Sequence, residues 1–175
     1  MVRPAARYML AAAEHMTPRR QGELDCLCGL YSILNALRLA AYPRRISADV
    51  QAELFAAGVT YLNRHDLLNT VLVGGICYDN LRNMARFIVR KAERRHRIKV
   101  TLQEHPKKLP AADRDEWMIQ QLWAGAPIVC EYMVQAHVAV CIGWTPRRWI
   151  IFDTDGRRHV RRGPDGRCFA VVTQT

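Results

Sequence analysis

The sequence has no apolar run near the ~20 residues that a membrane-spanning helix needs, so membrane insertion is not expected. It has no internal period, which excludes solenoids, collagen and long coiled coils. Aromatic residues make up only 8% of the chain. They do not interleave with its basic clusters in the way a nucleic-acid stacking platform requires. Acid is also short: 16 Asp and Glu stand against 26 Lys and Arg, a formal charge of +10. A secretory signal is missing as well. Arg3 and Arg7 are followed only by Met9-Leu10-Ala11-Ala12-Ala13 before Glu14, too short for a signal-peptide core. The expected compartment is therefore the cytoplasm of the producing cell. Delivery by a dedicated secretion system stays open.

What is present is an ordinary globular mix. The chain has 175 residues, is 50% apolar and is 24% charged. This length predicts a single domain over 1–175, with 1–20 as a lead-in, that buries about 70% of its unfolded surface. The six cysteines are Cys26, Cys28, Cys77, Cys130, Cys141 and Cys168. Without a signal they are read as reduced, and most of them as small core residues. The excess charge favours acidic partners. Its clusters, Arg44-Arg45, Arg90–Arg97, Arg147-Arg148 and Arg157–Arg162, carry no nucleic-acid fingerprint. The first expectation is a basic solvated surface with no dedicated polyanion ligand, a rim that selects an acidic peptide or protein is the alternative, and nucleic acid is not the expected partner. Oligomeric state is not legible.

Periodicity divides the chain into helices followed by strands. Leu30, Ile33, Leu34 and Leu37 recur at helical spacing, and Pro43 ends the run. Ser47 or Asp49 caps an expected helix from Val50 to Ala57, closed by Gly58. Residues 59–80 form a stretch broken at Gly74-Gly75. A further helix runs from Asp79 or Asn80 to about Arg95 with a basic outer face. Ile98–Leu102 reads as a strand, and Asp113 caps a helix that stops at Gly125. Four strands follow: Ile128–Met133, His137–Ile142, Trp149–Phe152 and Phe169–Val172. The expected class is α+β, helical half first and antiparallel sheet second.

This order places Cys26 and Cys28 at the start of a helix. A thiol there feels the positive end of the helix dipole, which favours thiolate, the nucleophilic form. A base must come from elsewhere. His137 opens an apolar strand, and Asp153 ends the next one, close enough to orient the imidazole if the two strands pair. Alone, Asp153 in Asp153-Thr154-Asp155-Gly156 also reads as a turn former, and Asp155 is a rival orienter. A zinc site from Cys26, Cys28, His137 and Cys141 is disfavoured. Cys-x-Cys lacks the usual spacing, and His137 and Cys141 would stand about 13 Å apart along one strand. No metal and no cofactor are expected.

Three segments together resemble the papain-like cysteine peptidases. They are Gln21…Cys28-Gly29-Leu30-Tyr31-Ser32, His137-Val138-Ala139-Val140-Cys141-Ile142-Gly143-Trp144, and Trp149-Ile150-Ile151-Phe152-Asp153. Their style is similar to the small bacteriocin-processing type, which uses Asp as third residue. The resemblance covers about 21–37 and 116–156, and the segment 38–115 matches no known pattern. It implies a papain-like fold with a Cys28–His137–Asp153 triad. Cys28 would be the nucleophile, His137 the general base and acid, and Asp153 the orienter of the histidine. Gln21 would donate to the oxyanion beside the backbone N–H of Cys28. Cys26, preceded by Asp25 as in the bacteriocin-processing pattern, is the alternative nucleophile. The implied activity is cysteine-dependent acyl transfer, as a peptidase or amidase acting on a peptide or protein. By analogy of format, a bacterial effector role is compatible with it. Deamidation or transamidation of a protein side chain is one alternative. A basic binding module for nucleic acid or acidic protein on the same scaffold, or a catalytically dead adaptor, is another.

Overall fold

Leu30, Ile33, Leu34 and Leu37 form the inner face of the first long helix, α1 (Cys28–Ala40), in the computed structural model of the chain. The structure describes residues 7–22, 25–106, 111–132, 137–162 and 167–174, with 111 and 112 described for their backbone alone. All three of Leu30, Ile33 and Leu37 are almost fully shielded from solvent. The helix continues beyond them to Ala40, before Pro43.

α2 (Ala48–Arg64) begins where the Ser47 hydroxyl accepts a bond from the Val50 N–H at 3.3 Å. It does not stop at Gly58, contrary to the sequence expectation. Gly58 is a contact residue in mid-helix: a Cβ there would lie 2.3 Å from Leu30 Cδ1, so the missing side chain lets α1 pack close. Tertiary packing outweighs the weak helix propensity of glycine. The expected break at Gly74-Gly75 is real and follows a short helix, α3 (Leu68–Gly74). Gly75 has φ +76, a conformation glycine adopts readily.

α4 (Tyr78–His96) buries Leu81, Met84, Ala85, Ile88 and Ala92, and exposes Arg86, Arg90, Arg94 and Arg95. Arg97 closes it in a left-handed conformation, and the Ile98 N–H returns to the Ala92 carbonyl at 3.2 Å. Ile98 thus serves the helix end, and the strand expected from it begins two residues later, as β2 (Val100–Glu104). α5 (Ala111–Trp123) follows β2 in the chain and precedes the next strand.

Among the described residues the sheet has seven strands, rather than the five read from the sequence. The others are β1 (Tyr8–Met9), β3 (Ile128–Tyr132), β4 (His137–Trp144), β5 (Arg148–Phe152), β6 (His159–Arg161) and β7 (Cys168–Thr173). Their order is β2-β7-β3-β4-β5-β6, every pair antiparallel. Met133, the expected end of the third strand, lies outside the described residues. β1 comes from the segment read as a lead-in, and it pairs with Gly143 and Trp144 of β4. A Cβ at Gly143 would stand 2.1 Å from the Tyr8 carbonyl oxygen, so only glycine admits β1 there. β6 lies within the arginine-rich stretch read as a connection. It alternates, with Val160 inward between the exposed His159 and Arg161. The class is therefore α+β with an antiparallel sheet. One cluster of buried residues joins α1, α4 and the inner strands. No helix among the described residues is long and apolar enough to cross a membrane.

Candidate active site

Cys28 is the first residue of α1, and it is only 5% exposed. The chain reaches it through a small clamp: the Asp25 carboxylate accepts the N–H of Gly22 at 2.9 Å and of Leu27 at 3.0 Å. The first helical bond runs from Tyr31 N–H to the Leu27 carbonyl, so the N–H of Cys28 has no partner within the helix. Gly29 explains how the helix start fits. A Cβ there would lie 2.7 Å from Ile76 Cγ2 and 2.8 Å from Leu81 Cδ1. One turn on, the buried Ser32 hydroxyl donates to the Val138 carbonyl at 2.9 Å. That bond ties the helix bearing Cys28 to the strand residue after His137.

His137 opens β4, and Asp153 immediately follows β5. In the pairing of these strands, Val140 faces Phe152 and Cys141 faces Ile151. Extending the register by one residue sets Asp153 opposite Ala139, diagonal to His137 and within side-chain reach. His137 Nε2 and Asp153 Oδ1 are 2.6 Å apart. Asp153 is almost completely buried, and its carboxylate also accepts the N–H of Thr154 at 2.8 Å and of Arg157 at 3.2 Å. With Nε2 on Asp153, Nδ1 is the ring nitrogen left for the Cys28 thiol, with which His137 interacts by hydrogen bond and charge. Burial works against the imidazolium. The hydrogen bonds and charges of Asp153 and Cys28 outweigh it and raise the His137 pKa to about 9.

A cleft of about 390 Å³ opens beside Cys28 and His137. Its far side is the end of α3 and the start of α4, including Val71, Ile76 and Asn80, and Glu131 of β3 forms part of the near wall.

The sequence candidates separate cleanly. Cys28, His137 and Asp153 are brought together. Cys26 is not part of this contact: its thiol donates to the Val73 carbonyl at 3.4 Å and its N–H to Leu72. The Asp25-Cys26 pair that suggested it is a loop clamp followed by a thiol turned towards Val73. Gln21 lies against the turn after Asp153, its Nε2 donating to Asp155 Oδ1 at 3.0 Å. Asp155, the rival orienter of the histidine, therefore holds the glutamine instead. Cys141 points its thiol at the Gly143 carbonyl, and the described residues contain no group of three side chains suited to a metal. All six cysteines are free thiols, four of them buried, with Cys77 exposed on the cleft.

Sequence reasoning missed the supports. Asn35, fully buried on α1, accepts the Arg19 N–H at 2.8 Å and donates to the Arg19 carbonyl at 3.0 Å. This fixes the segment that carries Gln21. The one available signal was an asparagine on the apolar face of a helix, three residues after Ser32. Glu131 left no signal, because a single acid in a strand reads as its solvent face. Compared with known proteins, the chain matches no family model, no curated protein and no solved structure.

Proposed function

We propose that the chain is a papain-like cysteine-dependent acyl-transfer enzyme that hydrolyses a peptide or amide bond. The observation that carries this reading is an imidazole that interacts with both a helix-opening thiol and a buried carboxylate. The imidazolium faces the thiol and favours the thiolate. Cys28 Sγ attacks the substrate carbonyl carbon, and the oxyanion is met by the Cys28 N–H and by the Gln21 N–H that Asp155 leaves over. The carbon–nitrogen bond then breaks. His137 gives its proton to the departing amine, which leaves a thioester on Cys28. His137 next takes a proton from water, whose oxygen attacks the thioester and releases the acid and the thiol. Asp153 holds the ring in one orientation throughout. A side-chain amide in the same place would be deamidated, and an amine in place of water would give transamidation.

The test is alkylation by iodoacetamide from pH 5 to 9 with peptide mapping, on wild type, Cys28→Ala, Cys26→Ala and His137→Ala. Rapid labelling of Cys28 at pH 6, reduced about tenfold or more in His137→Ala and unchanged in Cys26→Ala, is expected. Slow labelling of every accessible cysteine, rising only above pH 8, would overturn the reading and leave a basic binding module in its place.

A further inference from the structure

The molecule is strongly basic, yet the wall beside its reactive thiol carries an acid. Glu131 lines the cleft that holds Cys28 and His137. Its side chain is 15% exposed, and its Oε2 is closed to solvent with no hydrogen bond among the described residues. Arg167 Nε stands 3.9 Å away, beyond hydrogen-bond reach. That guanidinium is already engaged, paired with Asp79 at 3.4 Å and lying over the Tyr78 ring at 4.6 Å. Asp79 is also approached by Arg82 at 3.6 Å, whose closer partner is Glu104 at 3.2 Å. Glu131 is thus the member of this network whose oxygen is left wanting a donor. A buried acceptor without one is destabilising. Among the described residues it is the only acid on the cleft lining.

The rest of that lining supplies the complementary shape. Leu67, Val71, Ile76 and Val138 give apolar surface, and Thr70 and Asn80 give two further polar points. A largely apolar cleft with a carboxylate on its wall fits a side chain with an aliphatic stem and a cationic head. A lysine or arginine head would supply the N–H donors that Glu131 lacks.

We propose that the cleft beside Cys28 is the substrate subsite for a lysine- or arginine-type side chain, with Glu131 as the residue that selects its charge. This rests on the reading of Cys28 as the reacting group. The basic outer surface and the acidic subsite divide the task. The surface attracts acidic stretches of a polypeptide, and the subsite takes one cationic residue next to the bond attacked.

The test needs no known substrate. Two thiol reagents of similar size and opposite charge are used, 2-aminoethyl methanethiosulfonate and 2-sulfonatoethyl methanethiosulfonate. The protein carries Cys26→Ser and Cys77→Ser, so that Cys28 is the thiol followed, with peptide mapping. Rates are compared with Glu131 intact, with Glu131→Gln, which keeps its shape, and with Glu131→Lys. The cation-to-anion rate ratio should fall about fivefold in Glu131→Gln and further in Glu131→Lys. A ratio unchanged in a folded Glu131→Gln protein, with far-UV circular dichroism as wild type, would overturn the subsite. The two readings fail separately. If the ratio falls while Cys28 reacts no faster than a model thiol, the cationic subsite stands and catalysis by Cys28 does not.

Discussion

Asp153 serves two structural roles at once. Its Oδ2 accepts the Arg157 N–H and its Oδ1 the Thr154 N–H, so the carboxylate folds the turn that follows β5. The same Oδ1 meets His137 Nε2. A turn former at the end of a strand is thereby also the partner of a buried imidazole. This explains why the residue reads from sequence as either one: both are correct. The ion pair has a consequence for stability. The folded-state pKa of His137, about 9, lies above its ordinary 6.5, so the folded chain holds that proton more tightly than the unfolded chain. The contribution is complete below pH 6.5 and is lost as pH rises through about 9. Urea unfolding at pH 6 should show wild type about 2–3 kcal/mol more stable than Asp153→Asn, and this difference should shrink by pH 9.5. An equal difference at both pH values would show that His137 is not held as a cation. Gly29 offers a second test at this scale. Its added methyl in Gly29→Ala meets Ile76 Cγ2, which cannot swing aside as a side-chain tip would. A loss of about 1–3 kcal/mol by thermal unfolding is expected, with slower Cys28 labelling as the helix start shifts. The glycine was visible in the sequence, but its neighbour 47 residues on was not.

Among the elements, the turn Asp153–Gly156 and the segment Arg19–Gln21 act as a matched pair. Asn35 pins the segment to α1 through both backbone groups of Arg19. Asp155 then takes the Gln21 amide across to the turn. One turn thus holds the histidine through Asp153 and the proposed oxyanion donor through Asp155. Asp155→Ala should slow acylation by an ester or amide substrate about tenfold or more, since it frees the Gln21 amide to rotate. Alkylation of Cys28 by iodoacetamide, which forms no oxyanion, should stay at the wild-type rate. A parallel loss in both assays would mean that Asp155 supports the fold and not the oxyanion site. Ser32→Ala tests the neighbouring support. It removes the donor to the Val138 carbonyl and should cost about 1–2 kcal/mol, with reduced Cys28 labelling at pH 6 because helix and strand are no longer tied beside the thiol. At this scale the sequence was most informative where periodicity is strong, as in α1 and β4. It failed at Gly58, where contact with Leu30 of α1 replaces the expected stop, and at Ile98, whose N–H serves the end of α4 rather than a strand. It also failed at β1, a two-residue strand whose only cue is the glycine facing it.

At the scale of the molecule, the site spans two structural halves. Cys28 belongs to a helix, while His137 and Asp153 belong to the sheet, so their contact persists only as long as the halves move together. The buried cluster makes that coupling explicit: Leu30, Ile33 and Leu37 of α1 share it with Val138, Val140 and Phe169 of the sheet and Met84 and Ile88 of α4. Trp144 and Trp149 lie on the sheet side and are almost fully buried. Far-UV circular dichroism reports mainly the long helices α1, α2 and α4, whereas tryptophan fluorescence reports mainly the sheet with α5. If one core binds both halves, the two signals must give the same midpoint and the same denaturant slope in a urea titration. Separate transitions would show that the halves unfold independently, and the thiol would then lose its imidazole before the chain lost its structure. The same titration can follow Cys28 labelling as a third signal. Its reactivity should collapse at the common midpoint and not earlier, because the Ser32–Val138 bond joins the halves within one turn of the thiol itself.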